Sequence, residues 1–292
     1  MWRALRVARS GRTSAAEDIC GRAASLALGL SVCCFLAGPA KALDPLPTCK
    51  PPGTLVAFES RLSGFARAIE RGREIKVVAL GSSSTEGTGA STKQATYPAR
   101  FNQEMDRRFP GKLFQVANLG KGGELVDAML ARLLHDVIPA RPALVLWQTG
   151  VNDAIVGVEI PVFRKALISG ITALKAAGIE VVLIDPQYYP RSAGVPRYEE
   201  FVSVMRAVAR EQGVPVFRRY AIMKHLIASG QQSADLFLWK DKFHLNDNSY
   251  ACLAELMAEA VEGEIRRPAA PVISAGVTTA SPLNSAQSAT AY

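Results

Sequence analysis

Short apolar runs alternate with longer amphipathic stretches through the middle of the chain. Five runs of four to six residues are rich in Val, Ile, Leu and Phe, which favours β-strands. They occupy 75–80, 114–117, 143–148, 181–184 and 214–217. Between them, apolar residues recur every three or four positions, as on one side of a helix, at 97–109, 124–137, 161–177 and 197–212. This alternation predicts an α/β fold of three layers, with helices on both faces of a mostly parallel five-stranded sheet.

The flanks of this pattern set the bounds of the folded domain. Helical patterning at 55–71 precedes the first strand, and a last helix is expected at 248–264. Residues 267–292 are rich in Ala, Ser, Thr and Pro with almost no charge, which predicts a disordered tail. One domain over 43–266 is therefore expected.

The N-terminus has the organisation of an export signal. Five arginines precede or flank an apolar run at 23–38, and Ala40-Lys41-Ala42 follows it as a small-residue cleavage site. We therefore predict a signal peptide at 1–42 and a periplasmic or secreted mature chain that begins at Leu43. The run is shorter than the roughly 20 residues that span a bilayer. An uncleaved anchor and a mitochondrial transit peptide remain as alternatives, while Val32 disfavours lipidation of Cys33.

Charge and cysteine content narrow the class of partner. The chain of 292 residues carries a formal charge of +8, but the leader holds six basic and two acidic residues, so the remainder carries only +4. No basic run is interleaved with aromatic residues, which argues against a nucleic-acid partner. Removal of the leader leaves Cys49 and Cys252, which can form one disulfide in an oxidising compartment or remain two buried thiols.

Two segments carry candidate nucleophilic chemistry. Gly81 and three serines, followed by Thr85, come directly after the first predicted strand, and Asp241 lies three residues before His244. A serine hydroxyl becomes a good nucleophile when an imidazole takes its proton and a carboxylate orients that imidazole. The other two histidines, His135 and His225, lie in amphipathic stretches where a helix-face position explains them, which leaves His244 as the candidate base.

Two further segments supply candidate donors for a developing oxyanion. The third strand is followed by Gly150-Val151-Asn152-Asp153, which places an amide side chain at a strand end. The second strand is followed by 118–123, whose glycines leave backbone N–H groups open to a ligand.

In order along the chain, these four segments resemble the blocks of the SGNH, or GDSL-type, hydrolase family over roughly 76–258. The resemblance implies the flavodoxin-like fold of that family and a catalytic domain at 43–266. It makes Ser83 the nucleophile, whose own N–H joins the oxyanion hole. It also assigns the remaining roles: Gly123 as backbone donor, Asn152 as side-chain donor, His244 as base and then acid, and Asp241 as its orienting carboxylate. Ser82 stands where the family usually has aspartate, so Ser82 and Ser84 compete with Ser83 for the nucleophile position, as Gly120 and Gly122 compete with Gly123.

The resemblance implies an esterase or acylhydrolase that works without a cofactor or metal. The loops that follow the predicted strands are short and polar, which favours short acyl groups, and acetyl esters on carbohydrate are the expected substrate. Tyr188, Tyr189 and Trp239 are candidates for stacking on sugar rings. No stable membrane insertion of the mature chain is expected, and its oligomeric state is left open. Two alternatives remain: a non-catalytic envelope binding protein on the same fold, and a flavodoxin-like protein whose hydroxyl-rich loop at 82–88 binds the FMN phosphate.

Overall fold

The computed structural model describes residues 49–268. The predicted signal peptide and nearly all of the predicted tail lie outside the described residues. All five predicted strands form within the described part, and their bounds are β1 (Glu74–Gly81), β2 (Leu113–Gly120), β3 (Leu144–Gln148), β4 (Glu180–Ile184) and β5 (Val216–Phe217). They make one sheet in the order β2-β1-β3-β4-β5, and each neighbouring pair is parallel. The predicted α/β fold is confirmed.

This strand order sets where a ligand can bind. The chain runs from β1 outward to β2 and then returns across β1 to β3, so the order reverses between β1 and β3. In open α/β sheets, the crevice at the carboxyl ends of the strands beside such a reversal is the usual ligand site. The Ser83 segment follows β1 and the Asn152 segment follows β3, so the topology brings both to that crevice.

The helices cover both faces of the sheet. Their bounds are α1 (Gly53–Val56), α2 (Ser63–Arg71), α3 (Ser83–Glu86), α4 (Tyr97–Arg108), α5 (Val126–Arg132), α6 (Ile138–Ala140), α7 (Val151–Val156), α8 (Ile160–Ala176), α9 (Tyr198–Gln212), α10 (Arg219–Ala228), α11 (Ala234–Phe237) and α12 (Asp247–Arg266). Helix α12 packs on α2 and α4, while α8 packs on α5 and α9. Right-handed crossovers place these two groups on opposite faces. All five residues of β3 are buried between them.

The predicted helix at 55–71 was wrong in its extent, because residues 57–62, between α1 and α2, are not helical. The guanidinium of Arg218 donates hydrogen bonds to the carbonyls of Thr54 and Ala57, which takes up the acceptors at the end of α1. Phe58 and Leu62 are buried in the intervening segment. The predicted helix at 124–137 is also divided, since α5 passes into a π-helical turn at Leu133–Val137.

The outer edge of β2 is closed by side chains. The N–H groups of Phe114 and Val116 donate to Asp106 Oδ1 and Asn102 Oδ1, each at 2.9 Å, and both acceptors lie on α4. Further along, Gly120 N donates to Asn118 Oδ1, also at 2.9 Å. These three backbone donors, which would otherwise face outward from the last strand, are thereby satisfied within the chain.

Cys49 and Cys252 form a disulfide, with their Cα atoms 5.6 Å apart. The bond joins the start of the described chain to α12 across 203 residues of sequence. A cross-link across so long a loop restricts the unfolded chain strongly, which in the chain-entropy model stabilises the fold by about 2–5 kcal/mol.

Candidate active site

The nucleophile turn joins β1 directly to α3. Gly81 is the last residue of β1 and Ser83 is the first of α3, so the chain turns within a single residue. A Cβ on Gly81 would lie 2.1 Å from Thr85 Oγ1 and 2.8 Å from Gln148 Oε1. Only glycine fits there, and the close turn presents Ser83 at the carboxyl edge of the sheet.

The three adjacent serines have different surroundings. Ser82 is 3% exposed, and its Oγ donates to Gln148 Oε1 at 3.2 Å. Ser84 is 2% exposed, and its Oγ donates to Gln187 Oε1 at 3.2 Å. Ser83 alone of the three has its hydroxyl beside a histidine, 2.9 Å from His244 Nε2. The arrangement of the side chains therefore favours Ser83 as the nucleophile.

His244 and Asp241 complete a chain of hydrogen bonds that ends at Ser83. Nδ1 of His244 lies 2.6 Å from Asp241 Oδ2, so Nδ1 carries the proton when the carboxylate is ionised and Nε2 is left to face the serine. Burial raises the pKa of Asp241. The hydrogen bonds from the His244 ring and from the N–H groups of Phe243 and His244 outweigh this effect and hold the pKa below its ordinary value. Asp241 is therefore an anion at neutral pH.

A tight loop fixes this histidine. Leu238 and Leu245 form an antiparallel bridge, and within it Trp239 N donates to His244 O at 2.8 Å. Lys242 takes a positive φ of 58° at the tip. Immediately afterwards α12 begins, with the Asn246 side chain accepting from the first backbone N–H groups of that helix. The Leu238–Leu245 bridge and the start of α12 hold the backbone of this loop, so the imidazole has little freedom to move.

The glycine loop after β2 lies beside the nucleophile. A Cβ on Gly122 would be 3.9 Å from Ser83 Cβ. Gly120 N donates to Asn118 Oδ1, and Gly122 N donates to Glu86 Oε2 at 2.9 Å. Gly123 is exposed, with φ of 77°, and its N–H has no hydrogen-bond acceptor among the described residues. Of the three competing glycines, Gly123 is thus the one whose N–H remains available to a substrate.

Asn152 lies in the first turn of α7, at the carboxyl end of β3. Its Nδ2 donates one hydrogen to Glu124 O at 2.9 Å, which links it to the glycine loop and leaves the second hydrogen for another acceptor. The neighbouring Asp153 is fully buried and accepts from Val126 N and Gly150 N. The pKa of Asp153 is raised above its ordinary value, because the effect of burial outweighs the opposite effect of these two N–H donors. Asp153 therefore supports the turn and does not face the nucleophile.

An ion pair that sequence reasoning did not find holds the glycine loop at both ends. Arg132 on α5 donates to Leu119 O at 2.7 Å, before the glycines, and pairs with the carboxylate of Glu124, after them. Glu124 is only 7% exposed. In the sequence, the only indication is that Glu124 and Arg132 carry opposite charges and lie eight positions apart. That spacing does not predict a contact until α5 is known to lie beside the glycine loop.

The aromatic residues near the site differ in what they can contact. Tyr189 is buried, with its ring 4.9 Å from Phe243, which in turn stacks edge-on 4.6 Å from His244. Tyr189 therefore supports the histidine loop and is not free to stack on a sugar. Tyr188 and Trp239 are partly exposed. Trp239 lines a shallow groove of about 330 Å³ beside the loop.

Among residues 49–268, no cluster of His, Cys, Asp or Glu side chains is arranged to hold a metal ion. None of the helices in that range is both long and apolar enough to cross a bilayer. The groups that the structure gathers at the crevice are instead a hydroxyl, an imidazole, a carboxylate and oxyanion donors. Together they suit acyl transfer through a covalent serine intermediate.

Comparisons with known proteins identify the family and the fold. Residues 48–267 match the model of the Non-GDSL lipase-like family. Among solved structures, a two-domain esterase active on acetylated mannans shares 18% identity and a TM-score of 0.62 over 73% of this chain; the match spans 56% of that esterase. An acetyl xylan esterase shares 20% identity over 64% of this chain and all of its own length, with a TM-score of 0.56.

A putative lipolytic protein of the G-D-S-L family from Desulfitobacterium hafniense DCB-2 shares 23% identity over 63% of this chain and 98% of its own, with a TM-score of 0.52. At these identities the structural likenesses establish the fold. No curated protein sequence matches the chain.

Proposed function

Because the chain belongs to the Non-GDSL lipase-like family, whose members are hydrolases of the SGNH type, we propose that it is an exported serine esterase that removes short acyl groups, acetyl foremost, from carbohydrate. The observation that carries the proposal is the continuous chain of hydrogen bonds from Asp241 Oδ2 through His244 to Ser83 Oγ. As an SGNH-type hydrolase the protein acts on ester bonds. The acetyl preference, the carbohydrate and the export are the proposed part.

Acylation begins at Ser83. His244 Nε2 takes the hydroxyl proton while Ser83 Oγ forms a bond to the ester carbon, and the carbonyl electron pair moves onto its oxygen. When the carbonyl re-forms, the bond to the alcohol oxygen breaks and that oxygen takes the proton from His244. The products of this half-reaction are the free sugar hydroxyl and acyl-Ser83.

The developing oxyanion lies among three donors in this mechanism. They are the N–H of Ser83, for which the described residues offer no acceptor, the N–H of Gly123 and the second Nδ2 hydrogen of Asn152. Donors that are fixed before the reaction stabilise the transition state without reorganisation. The Arg132–Glu124 pair and the bond from Asn152 to Glu124 O keep the glycine loop in place.

Deacylation repeats the sequence with water. His244 Nε2 takes a proton from water as the water oxygen bonds to the acyl carbon. The bond from Ser83 Oγ then breaks, and Ser83 recovers its proton from His244. The carboxylic acid leaves, and the enzyme returns to its starting state with no cofactor.

The form of the site supports a short acyl group on a large alcohol. The glycine loop at 121–123 and the loop tip at Lys240 and Lys242 are exposed and polar, so they provide little apolar wall for a fatty chain. The groove is lined by Trp239 together with Ser91, Asp247 and Asn248, and such a combination of an aromatic ring with hydrogen-bonding side chains suits a sugar. The fold is shared with esterases active on acetylated mannans and xylan.

Export is supported by the leader and by the disulfide. A structural disulfide between Cys49 and Cys252 is typical of an oxidising compartment. N-terminal sequencing of protein collected from an export pathway should give Leu43 as the first residue. Retention of an intact N-terminus in the membrane would instead indicate an anchor.

The deciding experiment combines activity with covalent labelling. Purified mature protein should hydrolyse nitrophenyl acetate and release acetate from acetylated xylan or mannan, and a serine-directed phosphonate should stop both reactions by labelling Ser83. Absence of both turnover and labelling would favour a non-catalytic binding protein. Absorbance near 450 nm in the same sample would reveal a bound flavin.

A further inference from the structure

Gln148 is the last residue of β3, and its side chain lies under the nucleophile turn. It is 1% exposed. Its Oε1 accepts three hydrogen bonds: from Ser82 N at 3.0 Å, from Ser82 Oγ at 3.2 Å and from Thr85 Oγ1 at 3.1 Å. One buried oxygen therefore holds the residues on both sides of Ser83 and joins them to the central strand.

The orientation of the Gln148 amide follows from its partners. A backbone N–H can only donate, so the atom that faces Ser82 N must be the carbonyl oxygen. Nε2 is buried and has no hydrogen-bond partner among residues 49–268. Leaving a buried amide donor unpaired is costly, and turning the amide would leave the Ser82 N–H without its acceptor instead. The three donors of the nucleophile turn thus determine how this side chain lies.

The turn before Ser83 determines the orientation of the Ser83 N–H. Ser82, the residue immediately before α3, has φ −93° and ψ −148°. The ψ angle of Ser82 sets the direction of the Ser83 N–H, which is one of the proposed oxyanion donors. Because Gln148 binds the N–H and the hydroxyl of Ser82 before Ser83 and the hydroxyl of Thr85 after it, it restricts rotation of the backbone between them. Thr85, which Gln148 binds on the other side, also contacts Tyr97 Oη at 3.0 Å.

We propose that Gln148 is a positioning residue for the nucleophile, and that its Oε1 fixes the turn at the point where the usual family pattern has aspartate and this chain has Ser82. The proposal rests on the proposed serine-esterase function of the site. Gln148 does not touch the reacting atoms; it acts through Ser82 and Thr85 on the placement of Ser83.

This arrangement makes the usual aspartate unsuitable here. A carboxylate in place of the Ser82 hydroxyl would bring an acceptor against the Gln148 oxygen, which is also an acceptor, in surroundings that are 3% exposed at Ser82. Ser82→Asp should therefore lower kcat by at least about tenfold, since a misplaced reacting group costs up to about 10²-fold. An active Ser82→Asp variant with wild-type kcat would overturn the proposal.

The direct test replaces the Gln148 oxygen and measures Ser83. Gln148→Met keeps the length of the side chain but removes the acceptor, and should lower kcat, kcat/KM and the rate of phosphonate labelling together by about 10²-fold. Gln148→Glu restores an oxygen in the same place and should recover all three to within about tenfold of wild type. The matched control is Ser84→Ala, because Ser84 is equally buried but bonds to Gln187; it should stay within about threefold.

A purely structural role predicts a different pattern. In that case the methionine and glutamate variants would have lower melting temperatures but wild-type turnover per folded molecule, or both would lose the same turnover per folded molecule with no rescue by glutamate. Either that result or wild-type labelling of Gln148→Met overturns the inference while the esterase function stands. An unlabelled wild-type protein would overturn the function itself.

A second route avoids any folding defect of Gln148→Met. Ser82→Ala combined with Thr85→Val removes two of the three donors from the opposite side and leaves Gln148 intact. The labelling rate of the double variant should fall by about tenfold or more, with the single Ser82→Ala variant remaining active. A wild-type labelling rate in a folded double variant would contradict the inference.

Discussion

His244 Nε2 lies 2.9 Å from Ser83 Oγ, although 161 positions of sequence separate the two residues. The first lies on a loop fixed by its own bridge and by the start of α12, and the second on the turn between β1 and α3. Neither segment needs to move for proton transfer, since the distance is already that of a hydrogen bond.

Loss of the nucleophile should abolish the reaction. Ser83→Ala is expected to lower kcat for nitrophenyl acetate on the order of 10⁴-fold or more, because the covalent route disappears. Ser84→Ala, which removes a neighbouring hydroxyl bonded to Gln187, should remain active. Mass spectrometry of the phosphonate adduct identifies the residue directly, and an adduct on Ser82 or Ser84 would contradict the assignment.

The two other triad residues should differ in their effect. His244→Ala should match the loss in Ser83→Ala, whereas Asp241→Asn should be somewhat milder because the imidazole remains but loses its fixed tautomer. In the wild type, the lowered pKa of Asp241 means that its carboxylate contributes at every pH above the ordinary aspartate value of about 3.9 and is lost only below it. Steady-state rates at neutral pH test this order, and full activity in either variant would exclude the triad.

Asn152 should act on the transition state more than on binding. Asn152→Ala is expected to lower kcat by roughly 10²–10³-fold with little change in KM, as for the loss of one oxyanion donor. Gln115→Ala, which truncates an exposed amide in β2, serves as the control and should leave both constants unchanged. A change confined to KM would make Asn152 a substrate-binding residue instead.

Acyl length should limit the reaction. Because each buried methylene contributes about 0.8 kcal/mol only where apolar wall is present, nitrophenyl acetate should be hydrolysed faster than the longer esters. Measurement of kcat/KM from two to twelve carbons gives the profile. A steady rise towards twelve carbons would indicate an acyl channel and contradict the proposed preference for acetyl.

The disulfide should matter for stability and not for chemistry. Replacement of both Cys49 and Cys252 by alanine is expected to lower the melting temperature by about 5–15 °C, because the unfolded chain regains its entropy. Turnover per folded molecule should be unchanged, as neither cysteine touches the candidate catalytic groups. Thermal unfolding with and without reductant provides the comparison, and an unchanged melting temperature would mean that the bond does not form in solution.

The sequence predicts those features of the molecule that depend on residues close together in the chain. The strands β1 and β3 follow from their apolar composition, and His244 follows from its place three residues after Asp241. The choice of Ser83 among three serines and the role of Asn152 come from the resemblance to the SGNH family. Apart from the Ser83–His244 pair and the possible disulfide, contacts between distant parts of the chain were not predicted. The break between α1 and α2 depends on Arg218, more than 150 positions away, and the burial of Tyr189 depends on its packing against Phe243.

Gln148 shows the same limit within the site. As the last residue of a hydrophobic strand, it gave no indication of whether its amide faced solvent, a substrate or the neighbouring strand. Its role appears only when β1 is placed beside β3 and Ser82 is seen to bond to it. The same holds for Arg132, whose two partners are brought to it by the return of α5.

The side chains that close the edge of β2 determine how this protein can meet copies of itself. An unpaired strand edge is a template on which another chain can add a strand, the first step of domain swapping and of fibre growth. Here one end of the sheet is the two-residue strand β5, and at the other end three backbone donors of β2 are bonded to the side chains of Asn102, Asp106 and Asn118. Extension of the sheet by a further strand is disfavoured at both ends, so we expect the protein to resist strand-mediated self-association even at high concentration.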